Sequence, residues 1–259
     1  MSTVQSHWKS RFAAAGIHLG ICLLLAAMAA ALVFGVWYPY PYRETSGGRS
    51  LFMLVVSIDV VMGPLLTLVV FNRSKPLKEL RRDLALIGVL QLAALGYGLW
   101  TVAEARPVHL VFEIDRFRVV HAIEVEPKLL KSAPAEWQQL PLTGPTLLSV
   151  RPFKSSDERM DATMAALQGV QISAQPDMWQ SYEQAKPQIL AHAGSLAELK
   201  KRFPDREAEI DEALKSVSFK DRPAGSVGYL SVTDRNVFWT ALLDTHTAEV
   251  IAFGPIDPF

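Results

Sequence analysis

Three long apolar stretches occupy the first part of the chain, and they constrain its fold more than any other feature. They cover about residues 12–38, 51–71 and 84–103. Each has about 20 residues or more, which is the length that a helix needs to cross roughly 30 Å of hydrocarbon. The sequence therefore predicts a membrane protein with three N-terminal transmembrane helices in residues 1–106. Residues 107–259 are expected to form a separate domain outside the membrane.

The first stretch has a second interpretation, a cleaved signal peptide, because Ala26–Ala31 offers the small residues that signal peptidases accept. Apolar sequence nevertheless continues from Leu32 to Trp37, which makes the stretch longer than the core of an ordinary signal peptide. An uncleaved transmembrane helix is therefore favoured. With either interpretation the second stretch begins on the same side of the membrane.

Basic residues are distributed unevenly among the connecting loops. Five Lys and Arg residues lie in the loop at 72–83, only two lie in the loop at 39–50, and two precede the first stretch. The positive-inside rule places the N-terminus and the 72–83 loop in the cytoplasm. Three crossings then place the C-terminal domain outside the cytoplasm, which is the periplasm for an inner-membrane protein of a Gram-negative bacterium. The aromatic run at 37–42 suits the outer interface, where Trp and Tyr are enriched.

A single carboxylate, Asp59, interrupts the second stretch. It lies about 12 Å from the outer end at 1.5 Å per residue, near the middle of the bilayer. A charge at this depth is costly and marks a candidate functional site. Gly63 and Pro64 follow it, and the proline is expected to kink the helix because it removes a backbone donor. Asp59 is expected either to hold the three helices together or to dock a polar group on a membrane helix of another protein; a proton relay is less supported.

The third stretch offers two polar partners for Asp59. Counted from residue 84, Tyr97 reaches about the height of Asp59, whereas Gln91 lies about two turns lower. Tyr97 is therefore the expected internal partner. Gly96 and Gly98 lie beside it and are expected to let the helices approach closely.

Several runs in the N-terminal half carry an unusual combination of aromatic, proline and glycine residues. They read WYPYPY at 37–42, SGGR at 46–49, DVVMGPLLT at 59–67 and QLAALGYG at 91–98. Together they resemble the TfpX/TfpZ family of type IV pilin accessory proteins, and the similarity is dense from about residue 11 to 125. These runs contain the candidate functional or helix-packing residues Arg49, Asp59, Gly63, Pro64, Gln91 and Tyr97.

The resemblance implies an inner-membrane protein that holds, stabilises or presents a cognate type IV major pilin without catalysis. The partners it implies are that pilin, other pilus assembly proteins of the inner membrane and the lipid bilayer. The family supplies no catalytic residue and no cofactor, and the oligomeric state stays open. Two carboxylates in contact would have to share a proton. A contact from Asp59 to a backbone group or to the amino end of the pilin is therefore easier than a contact to a pilin carboxylate.

Composition and motifs point away from several classes of function. The chain has 26 basic and 26 acidic residues, so its overall charge indicates no nucleic-acid partner. Its one cysteine, Cys22, excludes an internal disulfide, and no Cys/His cluster has metal-ligand spacing. His121, His192 and His246 are scattered, and the sequence has no phosphate-binding glycine loop and no nucleophile motif. We therefore expect a protein that is not an enzyme and that holds no metal.

Two other functions stay open. A membrane-anchored periplasmic ligand sensor would need a separate output protein, because a cytoplasmic loop of about a dozen residues is too short to be an output domain. A transporter subunit would need to oligomerise, because three helices and one carboxylate do not form a pore alone.

The domain after residue 107 is expected to be α+β with an antiparallel sheet. Strand-like runs lie at 108–114, 117–125 and 146–150. A three-stranded antiparallel meander is predicted from runs at 227–232, 237–243 and 248–253, with turns at 233–236 and 244–247.

Helices are expected between these strands. Ser155 or Ser156 is expected to cap a helix that carries Met160, Met164 and Leu167 at helical spacing. Residues 176–217 read mostly as helix, with a cap at Asp177, a break or kink at Pro187, and new starts at Ser195 and Pro204.

Overall fold

The computed structural model describes residues 2–215, 225–235 and 237–258. The chain divides into two compact units. The helical unit contains the described residues up to Arg43 together with Gly47–Glu104. The sheet unit contains the described residues after Glu104 together with the short segment Glu44–Ser46. Residues 216, 217 and 236, which the sequence assigned to a helix and to a turn, lie outside the described residues.

Three long helices form the helical unit. They are α1 (Ser2–Leu32, continued by a π-helical turn at Val33–Trp37), α3 (Gly48–Val70) and α4 (Leu77–Glu104), with a short α2 at Tyr42–Thr45 between the first two. By length and composition, Trp8–Trp37, Gly48–Val70 and Leu77–Glu104 are apolar enough to cross a membrane. This confirms the expectation of three helices with that property. The helices begin earlier than the apolar stretches do, by seven residues for α4.

Glycines bring α4 close to α3 at two levels. A Cβ on Gly98 would lie 2.5 Å from Cγ1 of Val55, and a Cβ on Gly63 would lie 2.0 Å from Nε2 of Gln91. Both distances are below van der Waals contact, so a side chain at either position would require Val55 or the flexible end of Gln91 to move. The expected close approach is thus present at Gly98, whereas a Cβ on Gly96 would have open space around it.

Gly98→Ala is expected to destabilise the helical unit by about 1–3 kcal/mol, because the added methyl group overpacks the contact with Val55. Gly96→Ala is the matched control, and it is expected to be neutral or stabilising because alanine is the better helix former. Thermal unfolding of the purified chain in detergent, followed by helical circular dichroism, measures both. Val55→Ala should restore the stability of the Gly98→Ala variant, and equal stability of the two single variants would contradict the packing argument.

Two tyrosines of the aromatic run after α1 pack inward. Tyr38 is fully buried, and its hydroxyl donates a hydrogen bond of 3.0 Å to the backbone carbonyl of Val102 in α4. Tyr42 is also buried, whereas Tyr40 is half-exposed. Tyr38 and Tyr42 therefore contact protein, and Tyr38 finds a partner for its hydroxyl inside the unit. The expected position of residues 37–42 at the outer membrane interface stays a prediction.

The sheet unit alternates strands and short helices. The strands are β1 (Pro107–Glu113), β2 (Arg116–His121), β3 (Thr146–Val150), β4 (Trp179–Ser181), β5 (Gly194–Ser195), β6 (Val227–Asp234), β7 (Val237–Asp244) and β8 (Val250–Gly254). The helices are α5 (Ser156–Leu167), α6 (Tyr182–His192), α7 (Leu196–Arg202) and α8 (Glu207–Lys215). Short 3₁₀ turns connect them, among them Ala122–Glu124 after β2.

The eight strands form one mixed sheet in the order β4-β3-β1-β2-β6-β7-β8, and β5 pairs with β6. The meander β6-β7-β8 is antiparallel, as predicted. The pairs β1–β3 and β2–β6 are parallel, so the expectation of an antiparallel sheet is wrong. Hairpins leave a local signal because their loops are short, whereas parallel neighbours are joined by long connections that local patterns do not reveal.

Among the described residues, two apolar clusters contribute to the core of the sheet unit. One packs α7 and α8 on the meander through Leu199, Ile210, Leu214, Val227, Leu242, Ala252 and Ile256. The other lies beneath the irregular segment after β2 and contains Val108, Val111, Val120, Val125, Ala133, Leu148, Ala174 and Trp179. Apolar contacts therefore cover the strands β1–β4 on one side of the sheet order and the meander β6–β8 on the other.

The predicted helical region at 176–217 is partly wrong. It opens with a 3₁₀ turn and strand β4 rather than with a helix capped by Asp177. Pro187 lies inside α6 without ending it, because α6 is held by buried contacts that include a hydrogen bond of 2.5 Å from Tyr182 Oη to the carbonyl of Ala248. The start at Ser195 is confirmed: its hydroxyl accepts from the backbone N–H of Glu198 in a capping box.

Candidate functional site

The three long helices surround a cavity of about 250 Å³. Its wall is mostly apolar and contains side chains from α1, α3 and α4. Four lining residues carry polar or polarisable atoms: His18, Cys22, Asp59 and Gln91. A largely apolar space with a few convergent polar groups is typical of a binding site.

Gln91 connects the polar groups of the cavity. Its Nε2 donates a hydrogen bond of 3.2 Å to the backbone carbonyl of Asp59 and lies 3.8 Å from Sγ of Cys22. Gly63 provides the space for this amide on α3. Pro64 has no backbone N–H, so the carbonyl four residues before it lacks its usual helical donor. The carbonyl that Gln91 binds belongs to Asp59, one position earlier. Gln91 therefore reinforces α3 beside the region that Pro64 weakens.

The expected pairing of Asp59 with Tyr97 is wrong. Tyr97 does not line the cavity, its side chain is 68% exposed, and its ring packs against Trp100 with a centroid distance of 5.6 Å. The error comes from the assumed start of the third helix. Because α4 begins at Leu77 instead of residue 84, seven further residues add about 10 Å at 1.5 Å per residue. That correction brings Gln91, rather than Tyr97, to the level of Asp59.

Gln91 contacts the backbone of Asp59 and not its side chain. No described residue donates a hydrogen bond to the carboxyl group of Asp59. The carboxyl group is therefore available at the cavity wall. Arg49 lies in the first turn of α3 and does not line the cavity. Pro64 lies within α3, which is helical through to Val70.

Thr67 and His18 form a second polar contact between α1 and α3. Nδ1 of His18 lies 2.5 Å from Oγ1 of Thr67. Thr67 is not among the predicted site residues, although a signal was present: Asp59, Gly63 and Thr67 are spaced by four residues. That spacing places all three on one helix face. The same face of α3 thus carries the carboxyl group, the glycine contact with Gln91 and the threonine contact with His18.

The sheet unit contains a separate buried polar cluster, made of Ser46, His121, Glu124 and Asp234. His121 is fully buried and lies between two carboxylates, with Nε2 3.4 Å from Oδ1 of Asp234 and Nδ1 3.5 Å from Oε1 of Glu124. Asp234 is itself 1% exposed, and its Oδ2 accepts a hydrogen bond of 2.5 Å from Oγ of Ser46. The segment between α1 and α3 therefore supplies one member of this cluster.

Local structure fixes the position of Glu124. His121 ends β2 and precedes the 3₁₀ turn Ala122–Glu124, so the backbone N–H of His121 donates to Oε2 of Glu124 at 3.0 Å. Burial acts to raise the pKa of Glu124, but the interactions with His121 outweigh burial and the pKa lies below its ordinary value. Glu124 therefore carries its charge next to the imidazole.

The arrangement does not match a nucleophilic triad, because Ser46 donates to the carboxylate rather than to the imidazole. The sequence predicted no role for Asp234 or Glu124, and His121 has no other histidine near it in the chain. No local signal connects residues that are 188 positions apart, as Ser46 and Asp234 are. The described residues contain no group of three or more His, Cys, Asp or Glu side chains arranged to hold a metal ion.

Comparison with known proteins gives one consistent result. The family model described as "Fimbrial assembly protein FimB" matches residues 6–47. The chain is 36% identical to "Fimbrial assembly protein, serogroup I" of Dichelobacter nodosus over 244 residues, which covers 92% of this chain and 94% of that protein. It is 34% identical to the serogroup E1 protein of the same organism over the same shares of both chains.

A third relative, "Fimbrial assembly protein, serogroups C1 and C2" of Dichelobacter nodosus, is 47% identical over 105 residues, or 40% of this chain and 80% of that protein. No solved structure matches the chain. Since two relatives above 30% identity align with nearly its whole length, this chain belongs to the fimbrial assembly protein family.

Proposed function

We propose that this protein is an inner-membrane accessory protein of type IV pilus biogenesis, which holds, stabilises or presents a cognate major pilin through non-catalytic contacts. The observation that carries the proposal is the near full-length similarity to proteins named for fimbrial assembly. The resemblance of the runs at 37–42, 46–49, 59–67 and 91–98 to the TfpX/TfpZ family supports the narrower assignment to type IV pili. Three helices long and apolar enough to cross a membrane support its location.

The cavity provides the proposed contact within the membrane. It combines an apolar wall with a carboxyl group that no described residue satisfies, and both belong to helices that would lie in lipid. An uncompensated polar group in hydrocarbon favours association with a helix that offers a hydrogen-bond donor. A pilin subunit held before assembly would present such a helix, and its amino end or a backbone group is the contact that a carboxyl group favours electrostatically.

The uneven distribution of basic residues supports the proposed orientation. Five Lys and Arg residues lie at 72–83, in the loop after α3 and the first turns of α4, and this supports a cytoplasmic position for that region and for the N-terminus. The sheet unit then lies in the periplasm. In this orientation it is on the side of the membrane where the globular part of a pilin subunit would be.

Site-specific photocrosslinking in cells that produce the pilin tests the proposal. Leu92 lines the cavity, and a photoreactive phenylalanine analogue at this position is expected to crosslink to the pilin. Val89, on the same helix and 64% exposed, does not line the cavity and is the matched control. Deletion of the gene is expected to reduce surface piliation. The proposal is wrong if piliation is unchanged and no position crosslinks to the pilin.

Asp59→Leu is expected to reduce surface piliation several-fold while Asp59→Asn retains most of it, because the amide preserves a polar contact at the cavity wall and leucine removes it. Ser57→Leu is the control, since Ser57 is an exposed polar residue of the same helix whose hydroxyl bonds only to its own helix, at Leu54. Immunoblotting of membranes confirms equal amounts of each variant, and electron microscopy counts pili. Normal piliation in the leucine variant would remove Asp59 from the mechanism.

A further inference from the structure

Two large apolar side chains of the sheet unit point outward close to the residue where the chain enters that unit. Ile123 is 65% exposed and Leu142 is 73% exposed. Each follows a residue that is hydrogen-bonded to Arg106. The backbone N–H of Ala122 donates to the carbonyl of Arg106 at 2.9 Å, and Nε and Nη2 of Arg106 donate to the carbonyl of Pro141 at 3.3 and 3.2 Å.

The structure around Ile123 holds it in this outward position. It is the middle residue of the 3₁₀ turn Ala122–Glu124, in which successive side chains point about 120° apart. Ala122 packs against the apolar cluster beneath the segment after β2, and Glu124 turns to His121. The turn therefore keeps its one large apolar side chain on the outside and its carboxylate on the inside.

Leu142 is held in a similar way. Leu140 packs against the same apolar cluster as Ala122, and Arg106 binds the carbonyl of the intervening Pro141. Two separate segments of the chain thus present an exposed apolar side chain next to Arg106. We call Ile123 and Leu142 the apolar pair.

Chain geometry limits the distance between Ile123 and the end of α4. Arg106 is two residues beyond Glu104, the last residue of α4. With 3.8 Å between consecutive Cα atoms and about 5.5 Å across a hydrogen-bonded pair, the Cα of Ile123 lies within about 17 Å of that of Glu104. If the apolar part of α4 from residue 84 to 103 fills the roughly 30 Å of hydrocarbon, Glu104 lies at its boundary.

We propose that the apolar pair is a lipid-contact site, in which Ile123 and Leu142 insert into the boundary between headgroups and acyl chains of the leaflet where α4 ends. This inference rests on the membrane location in the proposed function. The occupant is lipid rather than protein because two side chains are far fewer than the 20–30 residues a side of a stable protein interface. They are also continuous, through Arg106, with a helix that would already be in that leaflet.

Fluorescent probes on the full-length chain in phospholipid nanodiscs test this site. Ile123→Cys and Leu142→Cys are prepared in a Cys22→Ala background and labelled with an environment-sensitive dye. Lipids that carry a nitroxide near the headgroup are expected to quench both probes roughly twofold, since interfacial apolar groups lie about 5–10 Å below the surface. Leu167→Cys, on the same unit and 79% exposed at the end of α5, is the control and is expected to be quenched little.

The outcomes separate this inference from the proposed function. Equal quenching at all three positions would show general adsorption and would overturn the lipid-contact site. Absence of quenching at Ile123 and Leu142 would also overturn it, as would shielding of the two probes only after purified pilin is added. None of these results changes the expected crosslink from Leu92 to the pilin.

Discussion

Asp234→Ala is expected to destabilise the sheet unit by about 3–5 kcal/mol, because the buried side chains of Ser46 and His121 both lose a polar partner. Asp234 is buried at the end of β6, where it accepts from Ser46 and faces Nε2 of His121. Alanine leaves the hydroxyl of Ser46 without its acceptor and His121 with Glu124 alone. Since whole domains are stable by about 5–15 kcal/mol, such a loss is a large share of the total.

Chemical unfolding of the full-length chain in detergent, followed by protease resistance of the sheet unit, measures this effect. Asp161→Ala is the matched control because Asp161 is exposed on α5, and its stability should stay within about 0.5 kcal/mol of the natural chain. Ser46→Ala is expected to cost less, about 1–3 kcal/mol, by leaving a buried acceptor with one donor fewer. The double variant should cost less than the sum, since both changes remove the same hydrogen bond. Additive losses would show that the two residues act independently.

Acidification from pH 7 to 4.5 is expected to cost the sheet unit about 3 kcal/mol through one residue, His109 in β1. Burial lowers the pKa of His109 to about 3. Its Nδ1 lies 2.6 Å from Oγ1 of Thr146, and its ring packs edge-on against Trp179 at a centroid distance of 4.6 Å. Its Nε2 is buried without a hydrogen-bond partner among the described residues, so the folded state offers nothing to stabilise a second proton.

The sign of this effect follows from proton binding in the two states. The unfolded chain protonates His109 near pH 6.5, whereas the folded chain does so only near pH 3. Between these values the unfolded state binds more protons, so stability is full above pH 6.5 and falls as the pH is lowered towards 3. Carboxylates with a lowered pKa, such as Glu124, act in the same direction. A variant without His109 isolates the part of the pH-dependent loss of stability that this histidine causes.

His109→Leu is expected to show a smaller loss of stability between pH 7 and 4.5 than the natural chain does, by about 3 kcal/mol. Thr146 is exposed and can bond to water in the variant, so the substitution leaves no buried hydroxyl without a partner. His246→Leu removes an exposed histidine and should keep the natural pH dependence. Unfolding curves at several pH values compare the three chains, and an unchanged slope for His109→Leu would contradict the assignment.

The sequence predicted the features that depend on nearby residues. Apolar stretches identified the three long helices, the short turns predicted the antiparallel meander, and the Ser195–Glu198 pair predicted the start of α7. Each of these signals lies within the element that it specifies or directly beside it. The polar residues at 77–83 hid the true start of α4, and that one error moved the expected partner of Asp59 from Gln91 to Tyr97.

Features that depend on distant residues were not predictable in the same way. The pattern of Met160, Met164 and Leu167 indicated a helix, and α5 forms there with a cap at Ser155, but all three side chains are exposed. Periodicity shows which side chains share a face, and it does not show whether another element covers that face. The parallel pairing of β2 with β6 has no local signal either.

Ser46 belongs to the sheet unit although it is synthesised before α3 and α4, and this order has a consequence for assembly. Its acceptor, Asp234, follows 188 residues later. At about 5–20 residues per second, a ribosome needs roughly 10–40 s to add that length. When this interval begins α1 is complete, and α3 and α4 are completed within it, while the acceptor for Ser46 does not yet exist. The serine is thus among the first residues made and among the last to be enclosed, so a chain that stops before β6 leaves it in contact with solvent.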